Sequence, residues 1–163
     1  MICAPPVAGG RIHLPGEASM NNLVASRPKT FWLVAIAALL WNLIGVAMFL
    51  VQINLSPEMI AAMPAEQRQV YAATPSWLNL VFGIAVFGGV LGAIGLLLKR
   101  RWAAALFLLS LLAVLVQMTA AYLLTPAWQA YGAAGLAMPV LLVVVAALLF
   151  WYARKAAARG WIA

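Results

Sequence analysis

Four long apolar runs, none interrupted by a charge, alternate with short polar breaks along this chain. They cover Phe31 to Ile53, Trp77 to Leu98, Trp102 to Leu124, and Gly135 to Trp151, the last extendable back to Tyr131. A helix needs roughly 20 residues to cross about 30 Å of hydrocarbon. Buried helices of water-soluble domains are rarely this long and this uniformly apolar. The pattern therefore predicts an all-α fold: a four-helix transmembrane bundle over residues 30–153, flanked by an N-terminal extension (1–29) and a basic tail (154–163).

The connection from Asn54 to Ser76 is the one sizeable polar segment between spans. Ser56-Pro57-Glu58 reads as a helix start, with an N-cap serine, proline at the first helical position and an acid in the first turn. Pro64-Ala65-Glu66 restarts helix after a break. One or two short surface helices are expected there, with Met59, Ile60, Met63, Val70 and Tyr71 turned toward lipid. Thr74-Pro75 and Thr125-Pro126 read as N-cap and first-turn pairs that open the following helices. Each pair is followed by tryptophan at the same offset, in TPSW and TPAW, but the rest of the two halves aligns poorly as a repeat.

Composition agrees with the pattern. Of 163 residues, 67% are hydrophobic and 8% charged, against about a quarter charged in a soluble domain. Mean hydropathy is +1.03. The net charge of +7 raises the question of nucleic acid. The cations, however, form short clusters between apolar runs and make no face that could track a phosphate backbone. Arg27 and Lys29 precede the first span, Lys99, Arg100 and Arg101 join the second and third, and Arg154, Lys155 and Arg159 follow the fourth; the other connections hold only Arg68. This bias puts both termini in the cytoplasm. Trp32, Trp102 and Trp151 then mark the inner interface, and Trp77 and Trp128 the outer one.

Cys3 is the sole cysteine and His13 the sole histidine, so no internal disulfide or thiolate zinc site can form. No carboxylate, histidine or lysine falls inside a span, which leaves no proton relay and no counter-charge for an ion. No enzyme activity and no cofactor are expected. The first 19 residues are rich in Pro and Gly and lack the apolar core of a secretory signal. They are expected to be a disordered cytoplasmic extension, with Met20 as the natural start.

Polar groups within spans are the candidates for function. Ala38, Asn42, Gly45, Phe49 and Gln52 share one face of the first span; Ser110, Val114, Gln117 and Ala121 share one face of the third; Asn79 and Gly83 lie together near the outer end of the second. At about 1.5 Å of rise per residue, Asn42 falls near the midplane and Gln52, Asn79 and Gln117 fall in the outer half, with Tyr71 and Tyr122 at the rim. Amides donate and accept hydrogen bonds and aromatic rings offer flat apolar area. Asn42, Gln52, Asn79, Gln117 and Tyr122 thus form a candidate pocket for a small neutral solute. The competing reading is that the amides only bond between helices, at about 0.6 kcal/mol each. Gly88, Gly92 and Gly95 recur at helical spacing on the second span, where small residues admit a neighbouring backbone. They pack either within the chain or along a seam between copies.

Several segments carry a resemblance to a known family: FWLVAIAALLWNLIGV in the first span, TPSW and FGIAVFGGVLG in the second, VQM in the third, YGAAGLAMPVLLVVV in the fourth, and the tail KAAARGWIA. Together they resemble a family of small four-span bacterial inner-membrane proteins, often labelled as sugar transporters or as uncharacterised. The likeness runs from Thr30 to Ala163. It implies a location in the inner membrane and sugar transport, and it brings no set of functional residues with it. Two functions follow as expectations. One is a passive facilitator for a small neutral solute such as a sugar, working as a homo-oligomer packed along the second-span glycines. The other is a non-catalytic accessory protein that binds a partner complex or lipid.

Overall fold

The computed structural model describes residues 28–162, and all regular structure within them is helical. In chain order the elements are α1 (Lys29–Ile53), α2 (Pro57–Ala61), α3 (Ala65–Ala73), α4 (Trp77–Leu97), α5 (Trp102–Leu124), α6 (Ala127–Tyr131), a 3₁₀ turn (Ala133–Leu136) and α7 (Ala137–Ala158). Helices α1, α4, α5 and α7 with its preceding turn are the four long and apolar enough to cross a membrane. Their outer faces carry Leu33, Leu80 and Leu123, which are 68%, 68% and 77% exposed. A continuous apolar exterior of this kind is solvated by lipid. The chain is a multi-pass membrane protein built as an all-α four-helix bundle.

The first three spans lie where the apolar runs put them. The fourth does not end at Trp151: α7 continues to Ala158 and carries Arg154 and Lys155 on helix. Pro139 is its third residue, where no helical carbonyl needs its N–H, so the helix is not broken. Past α7 the chain turns back at Gly160. The Gly160 N–H bonds the Ala157 carbonyl at 3.1 Å and the Trp161 N–H bonds the Ala156 carbonyl at 2.9 Å. With Gly160 at φ +69°, this is a Schellman cap. It folds the chain back so that Trp161 and Ile162 are buried in the bundle. The expected extension over 1–29 lies, up to residue 27, outside the described residues, as does the expected start at Met20; Lys29 is already helical.

Helix α4 is central, packed on α1 along one side and on α5 along another, and α5 in turn packs on α7. The core sits at the end that carries the basic residues. Phe31, Ala35 and Ala38 of α1 meet Ala93 and Leu96 of α4, Ala103 and Phe107 of α5, Ala153 and Ala156 of α7, and the returning Trp161 and Ile162. Phe31 stands at the centre, stacked on Tyr152 and edge-on to Trp161 with ring centroids at 6.4 and 6.2 Å. The turn from α4 to α5 is a second Schellman cap, closed by Lys99 N–H to Leu96 O at 2.9 Å and Arg100 N–H to Gly95 O at 2.8 Å. Lys99 takes the left-handed position (φ +59°) that glycine usually fills. A non-glycine residue there costs about 1–3 kcal/mol. Its ammonium sits 5.4 Å from the centroid of the Trp32 ring, a contact that offsets about 0.5–1 kcal/mol.

The loop between α1 and α4 folds much as its sequence proposes. Ser56 caps α2 by accepting from the Met59 N–H at 3.3 Å, and its own hydroxyl donates to Glu58 Oε2 at 2.8 Å. The two threonines are a correction. Thr74 and Thr125 do not cap the helices that follow. Their hydroxyls donate backward, to Val70 O at 2.7 Å and to Ala121 O, and so close the ends of α3 and α5. Each hydroxyl uses a carbonyl four residues back that the helix end leaves free.

Candidate functional site

The bundle is closed at the basic end and gapped toward the loop end. Helices α1 and α7 meet in the packed cluster, where the Phe31 ring stacks on Tyr152, and pack little elsewhere. The gap between them widens into a cavity of about 380 Å³ to which all four spans contribute. That volume lies within the range of small-molecule sites. Its polar groups are Asn42 and Gln52 of α1 and Ser110 and Gln117 of α5. The remaining wall is mainly apolar, chiefly Met48, Phe82, Phe107, Met118 and Met138, with the indole of Trp41 adding one N–H. A second concavity, along Leu115, Val116, Thr119, Ala120, Leu123 and Leu124, is the outer surface of α5 alone and encloses nothing.

Most of the polar groups are already committed. Asn42 is buried, its Nδ2 donating to Ala38 O at 2.8 Å. Its Oδ1 lies against Gly89, where an added Cβ would stand 1.8 Å away. Glycine at 89 is therefore what lets an amide enter the α1–α4 seam at mid-bundle. Sequence reading missed this residue; its offset from the Gly88–Gly92–Gly95 strip, on the side of the helix facing α1, was the available signal. Ser110 is also buried and donates to Ala85 O at 2.6 Å, tying α5 to α4. Gln52 Nε2 donates to Asn79 Oδ1 at 3.0 Å across the α1–α4 seam.

Gln117 differs from these three. It is half-buried, lines the cavity, and its amide makes no hydrogen bond among the described residues. An amide carries two N–H donors and an acceptor oxygen, so this one group retains its full capacity for a guest.

Not all the expected pocket residues meet. Asn42, Gln52 and Gln117 reach the cavity. Asn79 does not line it and serves as the partner of Gln52. Tyr122 also lies outside the lining, edge-on to Trp128 with centroids 6.4 Å apart. The lining includes Ser110 and the methionines Met48, Met118 and Met138, whose relevance a search for amides and aromatics does not reveal.

The glycine strip is used inside the chain. Gly88 faces Leu106 and Ser110, Gly92 the Phe107 ring, and Gly95 Trp102 and Ala103. An added Cβ at Gly95 would come within 2.7 Å of the Trp102 ring. Helix α5 fills the strip, which places these glycines in packing within the chain. Comparison with protein-family models, with curated proteins and with solved structures finds no match.

Proposed function

We propose that this membrane protein is a passive facilitator for a small uncharged molecule that binds in the cavity between its four spans. The observation that carries the reading is Gln117, an uncommitted amide inside a cavity to which every span contributes. Among the described residues the lining holds no titratable side chain, which suits an uncharged guest and transport without ion coupling. All the lining residues come from one copy, so the reading does not depend on an oligomer. Orientation follows from charge. Lys29, Lys99, Arg100, Arg101, Arg154, Lys155 and Arg159 gather at one end, and Glu58, Glu66 and Arg68 lie at the other. The basic end is accordingly assigned to the cytoplasmic face, and the family resemblance implies a bacterial inner membrane. The same resemblance implies a sugar as one candidate solute.

Uptake of labelled hexoses and other neutral solutes into proteoliposomes tests this reading, comparing the intact protein with Asn42→Leu and Gln117→Leu. Saturable uptake, lost in Gln117→Leu while the protein stays folded, is expected. Uptake unchanged in both variants would overturn it. One feature favours the accessory reading: Gln52 bonds Asn79 across helices and Asn42 bonds a carbonyl of its own helix, as structural amides do. Absence of all uptake together with copurification of a partner complex would uphold that alternative.

A further inference from the structure

The shape and chemistry of the cavity point to a more definite guest. We infer that it takes a single-headed, uncharged amphiphile from the bilayer, with a hydrogen-bonding head at Gln117 and a hydrocarbon body along the methionines. The inference rests on the cavity reading above and narrows its ligand class.

The mouth of the cavity lies between α1 and α7. Ile44 and Met48 on one lip and Met138 on the other line it while remaining 58%, 60% and 61% exposed. Ile44 lies about midway along α1 and Met48 about one turn further toward the loop end. The opening therefore runs alongside the hydrocarbon of the bilayer and reaches toward the loop-end interface. A molecule already dissolved among lipid tails can enter sideways without crossing water. Toward the basic end the way is closed: Phe107 and Leu149 line the cavity and also belong to the packed cluster around Phe31, Leu96 and Ile162.

The supply of hydrogen bonds sets the size of the polar head. Asn42, Ser110 and Gln52 each spend a donor, on Ala38, Ala85 and Asn79, which leaves Gln117 as the one amide of the described lining with no hydrogen bond. A polyhydroxylated solute would bury several hydroxyls against a wall that is mostly apolar, and each hydroxyl left unserved costs more than one hydrogen bond returns. A guest with one hydroxyl, carbonyl or amide finds its partner at Gln117. Met48, Met118 and Met138 are unbranched and polarizable, and such side chains adapt to a flexible chain of variable shape. Transfer from lipid to an apolar cavity brings little hydrophobic gain, so the Gln117 bond supplies much of the preference for this site over bulk bilayer.

The test is photolabelling of the full chain in phosphatidylcholine nanodiscs with a diazirine-bearing decanol, with crosslinked residues mapped by mass spectrometry. Saturable labelling near Met48, Met118 and Met138, displaced by plain decanol but not by glucose, is expected. Gln117→Leu should weaken apparent affinity about three- to twentyfold. Ala146→Phe, which fills the cavity from α7, should abolish the labelling, and it keeps the test decisive should Gln117→Leu fail to fold. Displacement by glucose and not by decanol would overturn the inference while leaving a small-solute site in place. Labelling spread over lipid-facing Leu33, Leu40 and Leu43, rising without saturation and unchanged in Ala146→Phe, would overturn both the inference and the cavity reading.

Discussion

The two ends of the bundle are built on opposite principles. At the basic end Ala35, Ala38, Ala93, Ala103, Ala153 and Ala156 are buried and bring all four spans together, with Phe31, Phe107 and Ile162 filling what remains. Toward the loop end the same helices carry Trp41, Ile44 and Met48 facing Met138, Leu142 and Val145, and there the helices stand apart. In water such a gap would tend to collapse under the hydrophobic effect. Among lipid tails that pressure is absent, and association relies on close packing and hydrogen bonds. Small residues therefore decide where a membrane bundle closes, and bulky ones can hold it open.

Several substitutions would break or sharpen this contrast. The largest effect is expected from Phe107→Ala, because Phe107 is 1% exposed and joins the packed end to the cavity floor. A loss of about 3–5 kcal/mol should appear in reversible unfolding in detergent micelles, whereas Trp151→Ala, at a residue 57% exposed, should be close to neutral. Next comes Gly89→Ala. Its methyl would collide with Asn42 Oδ1 and displace the amide from Ala38, at about 1–3 kcal/mol. Gly132→Ala would meet no neighbour, but φ is +57° there, so any loss should come from backbone strain and leave the seam intact. The smallest effect is the Gln52–Asn79 bond. A double-mutant cycle with leucine at each position should give a coupling of about 0.6 kcal/mol, and no measurable coupling would remove the bond from the seam.

Much of the fold was legible in the sequence because lipid imposes a strict requirement: each span must be long, apolar and free of charge. Ser56-Pro57-Glu58 was legible for the same local reason, since a cap is decided within one turn. What escaped depends on tertiary placement. Trp161 and Ile162 read as part of a basic tail, yet the Gly160 cap carries them into the core. Thr74 and Thr125 looked like caps for the next helix because proline follows each, but a hydroxyl can equally serve the carbonyl four residues back. Helical spacing grouped the amides correctly by face. It could not tell that Asn79 would be taken by Gln52 while Gln117 stayed free, because that depends on the neighbouring helix.

The most direct measurement compares one substitution at two places on one helix. Ala146 lines the cavity and Ala153, about two turns further along α7, is fully buried in the packed end. Unfolding free energies of Ala146→Leu and Ala153→Leu should differ sharply: within about 0.5 kcal/mol of the parent protein for the first, and a loss of about 1–3 kcal/mol for the second. Equal losses would mean that the loop-end half is packed as tightly as the basic end, and that the bundle holds no space for a guest.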